Sequence, residues 1–173
     1  MKKIFAVVLV AMMSLGAFAQ HEIGGIVGGL NGLSYKYWFG DNLAIQADLA
    51  VGLTEAATGQ TVMGQYQSWS FGVYDFTLNP NLLYHFNLPA NFKLYLGGGV
   101  NLGMLSGIQN TDPAGIGGKF GINGALGATY DIQSVPLVLA LDFRPGYGMT
   151  FSDQGVGVHY FDWKIAFAIR YKL

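Results

Sequence analysis

The chain has 173 residues, 51% hydrophobic and 14% aromatic but only 11% charged, with 26 glycines, no cysteine and a formal net charge of −1. That length suits one domain. So low a charged fraction, against roughly 25% in ordinary soluble domains, argues against a soluble enzyme; the apolar content excludes a disordered chain and the missing cysteine a disulfide scaffold.

The first twenty residues read as an export signal. Lys2 and Lys3 precede an unbroken apolar run from Ile4 to Met13, and Ala17-Phe18-Ala19 supplies a small-x-small cleavage site. The apolar core is too short for a spanning helix. No cysteine follows it, which excludes a lipoprotein signal, so cleavage is expected after Ala19 with residues 20–173 forming the mature domain. Loss of Lys2 and Lys3 leaves seven basic against ten acidic side chains, which is no footprint for nucleic acid.

From there the pattern has period two, the mark of strands with one apolar face. Two short strands come first, near residues 22–30 and 33–39, with Asn31-Gly32 expected as a tight hairpin turn. In the third, Leu43, Ile45, Ala47, Leu49, Val51 and Leu53 alternate with Ala44, Gln46, Asp48, Ala50 and Gly52. Tyr74, Phe76, Leu78, Leu82, Tyr84 and Phe86 mark the fourth strand, and Leu94, Leu96, Val100 and Leu102 the fifth. Phe120, Ile122, Leu126, Ala128 and Tyr130 mark the sixth, and Leu137, Leu139, Leu141 and Phe143 the seventh. The eighth carries Phe161, Trp163, Ile165, Phe167, Ile169, Tyr171 and Leu173. Short turns are expected at 39–42, 87–91 and 133–136, and long polar loops at 54–68, 104–118 and 148–157. Trp69 and Phe71 fall out of phase, as at a bulge or an extension above the membrane.

Period alone does not say which face points outward, because a secreted ligand-binding barrel has the same alternation reversed. Three features choose lipid. The polar face has too few charges to coat a soluble protein, and its small residues suit a narrow eight-stranded interior. Aromatic residues gather at the strand ends, as in membrane-interface girdles: Tyr35, Tyr37, Tyr84, Phe86, Tyr130 and Tyr171 at the short turns, Tyr147, Phe161 and Trp163 at the loops. The sequence also ends in the last strand, at Leu173, without a polar tail. The expected fold is all-β, an eight-stranded antiparallel up-and-down transmembrane β-barrel.

The signal, the eight strands and the final Phe167, Ile169, Tyr171 and Leu173 resemble the small outer-membrane barrels of OmpX-like and OmpA-like type. Gly32-Leu33-Ser34-Tyr35-Lys36-Tyr37 and Asn79-Pro80-Asn81-Leu82-Leu83-Tyr84 are similar to the outer membrane protein beta-barrel proteins common in Bacteroidetes. The resemblance implies a bacterial outer-membrane location and recognition of the C-terminal strand by the barrel-assembly machinery.

With the polar face inward, Lys36, Lys93, Arg144, Lys164 and Arg170 are expected in the lumen against Asp48, Asp75, Asp142 and Asp162. Near-balanced charge is what a dry interior requires, so these nine form an expected structural network; a gated pore is the alternative. Asp142 with Arg144, and Asp162 with Lys164, are same-face neighbours, and Trp38 is expected to cork the periplasmic end. Glu22, Asp131 and Lys172 fall near the strand ends. Of the histidines, His21 is expected at an exposed end and His85 in the lumen. His159 is the one rim position where Ser152, Asp153 and Asp162 approach a Ser–His–acid set. Neither metal-ligand spacing nor a phosphate-binding glycine loop is present, so no cofactor, metal or catalytic residue is expected. The expected protein is a monomer contacting outer-membrane lipid, with a structural role or an unidentified surface ligand on its long loops. A narrow channel and a rim-located lipid A-modifying enzyme are the alternatives.

Overall fold

A computed structural model describes residues 21–62, 65–108, 113–151 and 158–173. They form β1 (His21–Gly28), β2 (Asn31–Trp38), β3 (Leu43–Val62), β4 (Gln65–Asn87), β5 (Phe92–Ile108), β6 (Pro113–Ile132), β7 (Leu137–Phe151) and β8 (Val158–Lys172). Each strand pairs antiparallel with its chain neighbours, and β1 pairs with β8 to close the barrel. Following the pairs from Glu22 through Lys36, Gln46, Asn81, Gly99, Asn123, Gly146 and Asp162 brings the register back to the level of position 32 on the line of β1. That ten-residue stagger matches strands tilted by roughly 40°. The signal peptide expected at residues 1–19 lies outside the described residues.

The faces are sorted as the alternation requires. Leu49, Leu82, Leu96, Ile122, Leu141 and Ile165 are exposed, whereas Lys36, Asp48, His85, Asp142 and Arg170 are at most 1% exposed. A water-soluble barrel has the opposite arrangement; this exterior suits hydrocarbon, and closure leaves no sheet edge in the paired wall.

Two local expectations are corrected. The first hairpin turns at Gly29-Leu30, and Asn31 and Gly32 already belong to β2. Gly28 adopts φ +115°, which only glycine takes easily, and the Asn31 side chain accepts from the Gly28 N–H and donates to its carbonyl, at 3.1 and 3.0 Å. The side-chain amide thus clamps the turn that the Asn-Gly pair was expected to form with its backbone. The segments expected as long loops are mostly strand. β3 and β4 stay in register from Leu43↔Tyr84 to Val62↔Gln65, and β5 and β6 reach Ile108↔Pro113 with an irregularity between Ser106 and Ile108. Polar composition looks like loop, but above a membrane a two-stranded ribbon faces water on both sides and needs no apolar face. Trp69 and Phe71 sit in this extension without a bulge, paired with Thr58 and Ala56. Residues 63–64, 109–112 and 152–157 lie outside the described residues.

Candidate functional site: the polar lumen

The interior is a stack of three polar layers. At the short-turn end the Trp38 indole N–H donates to Glu22 Oε1 at 2.8 Å, and its ring packs on His85 at 4.3 Å. Lys36 donates to His85 Nε2 at 3.3 Å and lies 4.9 Å above the Tyr95 ring. Lys93 covers the Trp38 ring at 4.5 Å, and Asp131 bridges Lys172 at 2.8 Å and Lys93 at 3.8 Å. Tyr95 fits because Gly127 faces it: a Cβ there would collide with the phenol ring and with the Leu141 carbonyl.

The middle layer is ionic. Arg144 binds Asp142 on its own strand at 2.6 Å and Asp48 at 2.5 Å. Asp48 belongs to β3, and β3 and β7 are diametrically opposite in an eight-stranded ring, so this side chain crosses the whole lumen. Gln46 makes the same crossing, donating to Asp142 at 3.4 Å. Arg170 donates to Ser34 at 2.9 Å and lies 3.9 and 4.0 Å from Asp142 and Glu22. Together Arg144, Arg170 and Lys36 face Asp48, Asp142 and Glu22, three buried cations for three buried anions, the balance that burial demands.

The outer layer is looser. Lys119 binds Asp75 at 2.7 Å and lies 4.8 Å from the Tyr160 ring. Lys164 binds Asp162 at 2.9 Å, with side chains 19% and 27% exposed. Asn123 reaches Asn81 beneath them.

All nine expected lumen residues therefore face inward, and the two same-strand pairs form. Glu22, expected near a strand end, is a full member of the buried network, and Lys119, which borders the segment 104–118 expected as a loop, joins the lumen charges although it is not among the nine. The phase of Phe120 and Ile122 places residue 119 inside. Of the rim set the structure describes two members and does not bring them together: His159 bonds Tyr147 Oη at 3.1 Å on the outer face, whereas Asp162 points into the lumen. Ser152 and Asp153 lie outside the described residues. His21 is not a free end residue but bonds Tyr35 Oη at 2.7 Å and packs on Tyr37. Among the described residues no three His, Asp or Glu side chains are grouped to hold a metal. A depression of about 550 Å³ is lined chiefly by outward-facing Leu94, Leu96, Leu126, Ala128, Leu141 and Phe143, on the outer wall.

No protein-family model matches the chain, and no curated protein does. Solved structures do. The N-terminal β-barrel domain of Pseudomonas aeruginosa OprF aligns at TM-score 0.58 and 15% identity, over 90% of this chain and 96% of that one. Neisserial surface protein A (NspA) aligns at 0.56 and 14%, over 90% and 94%. A major outer membrane protein of Thermus thermophilus aligns at 0.56 and 16%, over 90% and 99%. The fold is that of the small outer-membrane barrels. At these identities the likeness concerns the backbone path.

Proposed function

We propose that this chain is a monomeric integral barrel of the bacterial outer membrane, with a filled lumen, serving envelope structure or surface interaction and not catalysis. The observation that carries it is Arg144 joined to Asp48 across the full width of the barrel. An ion crossing the lumen would have to part that bond and the Gln46–Asp142 contact, exposing carboxylates in a medium where unpaired charge is expensive. The nine-residue network is thus core packing made from polar groups, as the narrow interior of eight strands favours.

In this reading the signal is cleaved after Ala19, the assembly machinery takes β8 as its recognition strand, and the segments 54–68, 104–118 and 148–157 carry surface contacts. Planar-bilayer recording tests the filled lumen. The wild type and Arg144→Met are expected to give no sustained single-channel current, because the Arg170 and Asn123 contacts still obstruct the lumen. A sustained wild-type conductance that changes on Arg144→Met would establish the channel alternative. An unchanged mass of lipid A from cells expressing the protein is expected; a shifted mass would establish an enzyme.

A further inference from the structure

Among the described residues the barrel wall has a gap. β8 pairs with β1 only up to Ala166↔Gly28, and β3 pairs with β2 only up to Asn31↔Val51. Above those points β8 has a strand beside it only in β7, and β3 only in β4. Among the described residues one further bond follows, from the Gly29 N–H to the Ile165 carbonyl at 2.7 Å. By the same alternation, the peptide groups of Trp163 and Phe161 turn toward the gap. Phe161 belongs to the outer aromatic level and stands five residues above Ala166. At roughly 2.5 Å of height per tilted residue, the β1–β2 hairpin stops on the order of 10 Å below that level.

The chemistry around the gap is polar. Between the rims the described outward-facing positions are apolar, glycine, proline or tyrosine, with one exception, the exposed Asn31 at the hairpin tip. Behind the gap lies the Asp162–Lys164 pair, partly exposed where the Arg144 and Arg170 layer is closed. A Cβ built on Gly29 would stand 2.9 Å from the Cβ of Lys164, so the hairpin tip lies close beside the stretch of β8 that carries the ion pair. Acyl chains at this place would leave the open edges of β8 and β3 without hydrogen-bond partners, which hydrocarbon cannot supply, and would lie against an amide and an ion pair whose remaining hydrogens and lone pairs have no polar neighbour there.

We infer that the notch above the β1–β2 hairpin is a lipid site, which draws the polar headgroup of an outer-leaflet lipid below the ordinary interface and thins the bilayer on this side of the barrel. Asn31, Lys164 and Asp162 supply donors and acceptors for the headgroup, while its chains spread over Val27, Leu33 and Leu49 below. The site rests on the membrane reading proposed above.

The chain has no native cysteine, so a bimane fluorophore can be attached at Val27→Cys, just beneath the notch, or at Val100→Cys on the far wall. The register sets Val100 slightly nearer the outer rim. Both are reconstituted in phosphatidylcholine vesicles carrying a nitroxide either on the choline headgroup or deep on the acyl chain. At position 27 headgroup quenching should exceed acyl quenching; at position 100 the order should reverse. Adding Asn31→Leu and Lys164→Met, with folding checked by gel mobility, should return position 27 to the order seen at 100. The inference is overturned if position 27 matches 100 in the first place. It is equally overturned if only soluble iodide reaches position 27, or if the double substitution leaves its order unchanged. Iodide quenching at both positions would instead show that the wall does not face lipid, a failure of the membrane reading itself.

Discussion

Arg144→Met tests the energetics of the lumen most sharply. The substitution keeps much of the side-chain volume but removes the one cation that bonds both Asp48 and Asp142, carboxylates no more than 1% exposed. Asp142 retains Arg170 at 3.9 Å; Asp48 retains only the Gln46 amide, at 3.1 Å. Breaking a buried pair from one side costs about 3–5 kcal/mol, because the remaining charge stays desolvated. Urea unfolding in lipid vesicles should show a loss of that size. Asp48→Asn added to Arg144→Met should recover part of it, since the stranded charge is gone, giving a coupling between the two sites of about 0.5–3 kcal/mol. A loss below about 1 kcal/mol, the range of exposed ion pairs, would refute the claim that these groups are dry and mutually dependent. Strict additivity of the two substitutions would do the same.

Three further outcomes follow from other parts of the barrel. Leu49→Arg, on the outward face of β3, should cost about 2–4 kcal/mol in vesicles if that face lies deep in hydrocarbon; a near-zero change in urea unfolding would contradict it. Gly127→Ala should displace the Tyr95 ring and lower the urea midpoint by about 1–3 kcal/mol of overpacking, whereas Gly118→Ala, with open space around it, should not. Ala90, held at φ +61° in the β4–β5 turn, should give a barrel more stable by about 1 kcal/mol when replaced by glycine, because left-handed backbone strains any Cβ; destabilisation on unfolding would mean that the turn is not as described.

Period two carried most of the fold into view. Once Phe161 to Leu173 and Leu43 to Leu53 show which side chains share a face, one charge balance and one girdle suffice to turn the barrel inside out. The same parity places Lys36, Asp142 and Arg170 inside and names their same-strand partners. What it does not encode is who meets whom across the lumen. The Arg144–Asp48 bond depends on the ten-residue stagger, a property of the closed sheet and of no single strand. Lys119 stays outside the expected lumen set for a different reason: it borders a polar segment, and polar strand and polar loop have one composition where the sheet leaves the membrane. The hairpin at Gly29-Leu30 was misjudged because an asparagine side chain performs there the bonding that an Asn-Gly turn assigns to the backbone. The notch, likewise, is visible only when two eight-residue strands are set beside neighbours of 15 and 20 residues.

The central claim, a closed barrel with lipid outside and ions paired within, is tested most directly by gel mobility. The mature protein, extracted from purified outer membranes, is run in SDS unheated and then after boiling. A compact, fast-migrating band that slows on boiling is the predicted result, because a closed hydrogen-bonded wall resists detergent until heated. One unshifted band, with the protein recovered from the soluble periplasm, would contradict the account and turn the apolar face inward around a ligand.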